Sequence, residues 1–209
     1  QSGNDYNATP PDANRPLFVT NVVNDQPVIR FSGLDQQKLK IDDNAKCSDN
    51  FTIFVVAKTE EEHEIDLQST TGIGGVNGQK YLFWPDHGGS NNAGQGLSLG
   101  INGVSNYEHG DGYMPATVVY AGTLTDFNLI TIKYENKYPY IYVNGDTDDP
   151  TEGDDISPRD MVSSPLIIGG EVYGFFTGDI AEILIYDSPL NDANIALVSS
   201  VLKAKYGLP

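Results

Sequence analysis

Trp84-Pro85-Asp86-His87-Gly88-Gly89-Ser90-Asn91-Asn92 holds the chain's single tryptophan, followed by an acid, a histidine and two amides on a glycine-rich stretch. A sugar is held by an aromatic plate against its C–H face and by planar amides and carboxylates on its hydroxyls. Trp84, Asp86, His87, Asn91 and Asn92 supply that inventory, and binding residues concentrate on loops. The plain alternative is that Trp84 ends a strand in the core and the rest is a turn. A second stretch, Asn106-Tyr107-Glu108-His109-Gly110-Asp111-Gly112-Tyr113, offers Tyr107, Glu108, His109, Asp111 and Tyr113 for a sugar or a calcium ion. Its alternative is a packed hairpin whose Tyr and His side chains hold the loop together. His87 and His109 are two of the three histidines. A zinc site would need a third close ligand, and the spacing shows none.

Asp146 to Asp155 has six acids in ten residues, hard oxygen ligands of the kind calcium takes. The spacing does not fit an EF-hand loop, and the reading preferred here is a solvated hairpin extension. No nucleophile elbow, phosphate-binding loop or dinucleotide fingerprint is present. Cys47 is the lone cysteine, which excludes an intrachain disulfide and a thiolate zinc cluster.

Elements to position these stretches are read from short runs of Val, Ile, Tyr, Phe and Thr between Gly, Pro, Asn and Asp. Strands are expected at 27–31, 51–58, 80–84, 96–101, 117–121, 128–135, 139–143, 165–170 and 179–186. In Leu129-Ile130-Thr131-Ile132-Lys133-Tyr134 the alternation gives one buried face (Ile130, Ile132, Tyr134) and one wet face (Thr131, Lys133). Asn144-Gly145 is a type I′ turn signal. One helix is expected from Asp192 to Lys205, with Asn191 as N-cap, an apolar stripe of Ile195, Val198 and Leu202, and Gly207 as its stop. Many strands without strand–helix alternation mean an antiparallel sandwich. Residues 1–16, rich in proline and polar side chains, read as a flexible lead-in, and residues 17–209 as one domain.

The chain has 209 residues, enough for a real core, and a formal net charge of −17 from 29 acids and 12 bases. That charge repels phosphate backbones and anionic lipid surfaces, so neither nucleic acid nor membrane insertion is expected. No apolar run approaches the roughly 18 residues of a membrane helix. Strong negative charge suits salty or calcium-containing fluid, where counterions screen it. The reading is an extracellular or cell-surface, monomeric module of a larger chain.

The ordered motifs resemble the laminin-G-like, concanavalin A-like domains of bacterial extracellular proteins over roughly residues 15–208. The resemblance runs through Phe31-Ser32-Gly33-Leu34-Asp35 with Lys38-Leu39-Lys40-Ile41, then Phe51 to Lys58 and Phe127 to Ile132. It continues in Tyr140-Ile141-Tyr142-Val143-Asn144-Gly145, Leu166-Ile167-Ile168-Gly169-Gly170, Phe176 to Tyr186, and the helix from Leu190 to Leu208. Departures stand at Ala181, Phe127 and Leu129. The resemblance implies an all-β jelly-roll sandwich of two antiparallel sheets with one short C-terminal helix. It further implies a non-catalytic module that binds a glycan or polysaccharide, or a protein, often beside calcium. An early loop and the last strand then meet around one ion, which points to Asp35 and Asp179. Laminarinase-type hydrolases share the architecture and carry E-x-D-x-E on a strand. Glu64-Ile65-Asp66-Leu67-Gln68 matches its first two acids, but Gln68 stands where the proton donor belongs, and retaining hydrolysis needs two carboxyls about 5 Å apart. A glycoside hydrolase or lyase, and a protein-binding or spacer module, remain the alternatives.

Overall fold

A computed structural model describes residues 7–41, 48–163 and 167–209. Cys47, residues 1–6 of the lead-in, and Pro165 and Leu166 of one expected strand lie outside them. In chain order the strands are β1 (Ala8–Thr9), β2 (Leu17–Val23), β3 (Gln26–Phe31), β4 (Leu39–Ile41), β5 (Phe51–Thr59) and β6 (Tyr81–Trp84). Then come β7 (Asn92–Gly100), β8 (Gly103–His109), β9 (Ala116–Ala121), β10 (Asn128–Glu135), β11 (Tyr138–Val143) and β12 (Thr151–Glu152). The last are β13 (Asp160–Ser163), β14 (Ile167–Ile168), β15 (Gly170–Glu171), β16 (Gly174–Phe175) and β17 (Gly178–Tyr186), followed by helix α1 (Asp192–Tyr206).

Two large sheets face each other. One is ordered β1-β4-β14-β6-β7-β8-β9, with β13 beside β7; the other is β12-β11-β10-β5-β17-β3-β2. Pairing is antiparallel except for β13, which runs parallel to β7. The chain folds as the expected β-sandwich. Between the sheets lies an apolar core that includes Phe51, Ile53, Val55, Leu97, Val104, Ile130 and Ile132. The opposite face of the seven-stranded sheet is buried too. Phe54 and Val56 of β5 pack there with Leu129, Tyr142 and the α1 residues Ile195, Leu202 and Tyr206. This is why β5 reads as an unbroken apolar run instead of alternating.

The wet face expected on β10 is therefore a correction. Thr131 and Lys133 are buried. Their register partners on β11 are Tyr142 and Tyr140, and the Lys133 ammonium sits 4.4 Å from the Tyr140 ring centre. The helix is capped as its sequence requires. The Asn191 side chain accepts a hydrogen bond from the Asn194 N–H, and Gly207 closes the other end with φ of 63°. Asn144 and Gly145 both have positive φ, but the strand after this turn starts only at Thr151. The tight β10–β11 hairpin uses Asn136 and Lys137 instead, also at positive φ.

Candidate functional site

Strand β6 ends at Trp84, and the chain then turns away from the sheet. Strand β8 runs on to His109, and Gly110 to Tyr113 reverse it toward β9. The two turns meet at one end of the eight-stranded sheet. Gly88 donates its N–H to the His109 carbonyl at 2.9 Å, and Asp111 donates to the Gly89 carbonyl at 2.9 Å. A Cβ on Gly110 would run into the Arg159 guanidinium and the Asn92 and Gly89 carbonyls, so only glycine lets the loops approach this closely.

Their junction is an exposed polar shelf. The His87 Nδ1 accepts from the Gly89 N–H at 3.2 Å, which puts the ring proton on Nε2. That nitrogen lies 3.1 Å from Asp111 Oδ1. Ser90 Oγ donates to Asp111 Oδ2 at 2.6 Å. The His87 and Asp111 side chains are 47% and 59% exposed, so the pair meets solvent. His109 donates from Nδ1 to the Pro85 carbonyl at 2.9 Å, which leaves its Nε2 as an acceptor. Burial holds the His109 pKa below its usual value, so the ring stays neutral. The His87 and His109 rings meet edge to face at 4.7 Å.

Tyr173 completes the shelf. It lies between β15 and β16, 5.5 Å from the Trp84 ring centre and 6.2 Å from that of His109. The hairpin is tied to the sheet by Lys38 on Glu171 at 2.7 Å. Neither Tyr173 nor Arg159 was singled out by the sequence reading. Tyr173 had a signal, an aromatic in the tight glycine-flanked stretch Gly170-Glu171-Val172-Tyr173-Gly174. Arg159 had none beyond being one of few bases. It donates to the carbonyls of Gly89 at 2.9 Å, Asn92 at 3.4 Å and Asp111 at 3.0 Å, and its guanidinium lies 4.1 Å from the Tyr113 ring centre. One side chain thus stitches both turns together.

Four expected ligand contacts are core residues. Trp84 is 6% exposed, Tyr113 5%, and Tyr107 and Glu108 0%. The stretch from Asn106 to His109 is strand, not loop, and its alternation sends Tyr107 and Glu108 to opposite faces. Tyr107 packs with Tyr81 on the sheet's outer side and donates to Asp66 at 2.6 Å. Glu108 points between the sheets. Its Oε2 accepts from Tyr113 at 2.7 Å and Ser157 at 2.5 Å, and its Oε1 from Tyr134 at 2.9 Å. Burial raises the Glu108 pKa, and the three hydroxyl donors oppose that shift. Trp84 underlies the shelf as support, with Tyr81 and Tyr173 against its ring. Of the remaining candidates, Asp86 is half-buried and engaged, Asn91 is exposed at the rim, and Asn92 begins β7.

The Asp35–Asp179 pair does not fit calcium. Both Asp179 oxygens are gripped by Arg30, at 2.7 Å each, so an ion there would sit beside a guanidinium. Among the described residues no group of three or more His, Cys, Asp or Glu is placed to hold a metal. Glu64 to Gln68 form no strand. Asp66 is held by Tyr107 and Gln79, and Gln68 bonds the Glu152 carbonyl, Asp154 and the Val119 N–H, so both serve the packing of this segment. In the acidic run, Glu152 lies in β12 and Asp146, Asp148, Asp149, Asp154 and Asp155 are exposed.

No family model matches the sequence, and no curated protein matches it. Solved structures share its fold. The binding domain of Paraclostridial Mosquitocidal Protein 1 is similar over 100% of this chain and 52% of its own, with 18% identity and a TM-score of 0.64. The binding domain of Botulinum Neurotoxin serotype G is similar over 96% and 48%, with 16% identity and a TM-score of 0.62. Domain 4 of an extracellular arabinanase from Geobacillus stearothermophilus, solved in complex with arabinotriose, is similar over 95% and 91%, with 14% identity and a TM-score of 0.55. The chain spans about half the length of the toxin binding domains it matches. Among the described residues no helix is long and apolar enough to cross a membrane.

Proposed function

We propose that the chain is a non-catalytic carbohydrate-binding module of laminin-G-like, concanavalin A-like type. It would act outside the cell or at its surface as one module of a larger protein. The observation that carries this reading is the shelf. His87, Ser90 and Asp111 form a pre-set line of donors and acceptors, flanked by the half-buried Tyr173 ring. Hydroxyls of a sugar ring exchange hydrogen bonds with such a line, while a C–H face lies on the aromatic. The line is fixed before a ligand arrives, because Asp111 already accepts from Ser90 and sits against His87, so little ordering entropy is lost on binding. The structural neighbours named as binding domains, and the one holding arabinotriose, support the same reading.

The test is a glycan array with the purified chain, run in millimolar calcium and in EDTA. The expected result is saturable binding of a glycan that is lost in Tyr173→Ala and His87→Ala. Retention in EDTA is expected, since the Asp179 carboxylate is already neutralised by Arg30. An array blank in both buffers would discard the reading in favour of a protein-binding or spacer role. Release of reducing sugar from the bound glycan would replace it with a hydrolase.

A further inference from the structure

A groove of about 710 Å³ opens on the seven-stranded sheet and shares no residue with the shelf. Its floor is a row of neighbours. Asp179 on β17 is in register with Arg30 on β3 and with Lys58 on β5. Residues in register present their side chains on one face. Phe31, Asp126 and Phe127 continue the lining, and the end of α1 at Tyr206 and Gly207, with the β2–β3 turn at Asn24, forms a wall.

Both cations in this groove are paired before any ligand arrives. Arg30 donates from Nε to Asp179 Oδ1 and from Nη2 to Asp179 Oδ2, each at 2.7 Å. Lys58 Nζ lies 3.6 Å from Asp126 Oδ1. With Glu60 the lining holds two cations and three acids. An anionic ligand would meet a net negative wall on a chain of charge −17, and a cationic one would have to compete with Arg30 and Lys58 for carboxylates that they already hold. A neutral ligand escapes both penalties. Donors remain for it, since among the described residues the Arg30 fork uses Nε and Nη2 and leaves Nη1. Charged donors and carboxylate acceptors stand side by side, the pattern that vicinal hydroxyls satisfy through charge-assisted bonds.

We propose that this groove is a second site, on the opposite sheet from the shelf, for a neutral, hydroxyl-rich saccharide segment. It stands without the shelf reading, since the two sites share no side chain. If both are occupied, two strands of one polysaccharide, or two polymers, can be held at once.

Backbone-amide NMR titration with arabinotriose, xylotriose and maltotriose tests it. The expected result is saturable shifts at Asn24, Thr59, Gly178 and Gly207 with at least one trisaccharide. The Arg30→Gln, Asp179→Asn double variant removes the fork without changing net charge. It should weaken the groove response at least ten-fold and leave any response at Gly88, Gly89 and Gly112 unchanged. Lys58→Gln, at a partly exposed side chain, provides a second variant should the double one unfold, with several-fold weakening expected. Groove amides that stay still with all three sugars, or that shift equally in the altered proteins, overturn the proposal. A moving groove beside a silent shelf would keep this site and remove the other.

Discussion

The two stretches that looked alike in sequence, 84–92 and 106–113, have opposite fates. Each holds at least one aromatic, at least one acid, a histidine and glycines. In the first the strand stops at once, and His87, Ser90 and Asn91 reach solvent. In the second the strand persists for three more residues, and Asn106, Tyr107 and Glu108 go into the interior. Only His109, Gly110 and Asp111 meet the other loop. Residue type alone gave both stretches the same chemistry. What separates them is where the sheet ends, and β8 ends late because Asn106 and Glu108 have partners inside. Asn106 donates to Tyr134 at 2.7 Å and to Thr117 at 2.8 Å, and accepts from Gln95 at 2.6 Å. A buried polar strand is tolerated when its groups are satisfied.

The sharpest way to break this contrast is Trp84→Ala. As a buried support, Trp84 should cost about 4 kcal/mol of stability when truncated, read by denaturant unfolding. Loss of glycan binding with unchanged stability would return it to the role of exposed sugar plate. Glu108→Ala comes next. It strands three hydroxyl donors, and about 3 kcal/mol of destabilisation is expected, whereas an exposed ligand contact would cost almost nothing. Arg159→Met should lower stability by about 1–2 kcal/mol and weaken glycan binding about ten-fold without touching the ligand, because both turns lose their stitch. A calorimetric titration that finds affinity intact would show that the loops hold one another unaided. Asn191→Ala, away from both stretches, removes only a helix cap, and about 1 kcal/mol should be lost without any effect on binding.

The smallest effect is a pH dependence. Burial lowers the pKa values of His63 and His109, so the unfolded chain takes up their protons first. Their contribution to stability is present above the ordinary histidine value near 6.5 and is lost as pH falls below it. Glu108 works in the other direction. Its raised pKa means that stability recovers as pH falls through it. The sum therefore hides each part, and the difference between the unaltered protein and His63→Leu isolates one. The gap in Tm between pH 7.5 and pH 5 should narrow in the variant. An unchanged gap would mean that His63 does not titrate in this range.

The frame was legible where the local signal and the burial agree. The alternation of Ile130, Ile132 and Tyr134, the Asn191 cap and the Gly207 stop all act within a few residues. Burial that depends on neighbours distant in sequence was not legible. Lys133 looks wet until Tyr140 lies across it. Glu108 looks like a ligand until Tyr134 and Ser157 close on it from 26 and 49 residues away. Half the shelf was visible as a set of residue types. Tyr173 and Arg159 were not, because their value comes from hairpins that the rest of the fold delivers to this corner.

The Arg159 stitch bears on how such a surface changes over generations. Its three bonds end on main-chain carbonyls, those of Gly89, Asn92 and Asp111, which every amino acid supplies. Side chains at 87, 90, 91 and 111 can therefore be exchanged while the fastening stays in place. Under the proposed function, a new ligand preference would arise by drift at four outward positions, much as a tool head is swapped on an unchanged handle. The positions that cannot drift are Arg159 itself and Gly110, where any side chain would collide with the fastening.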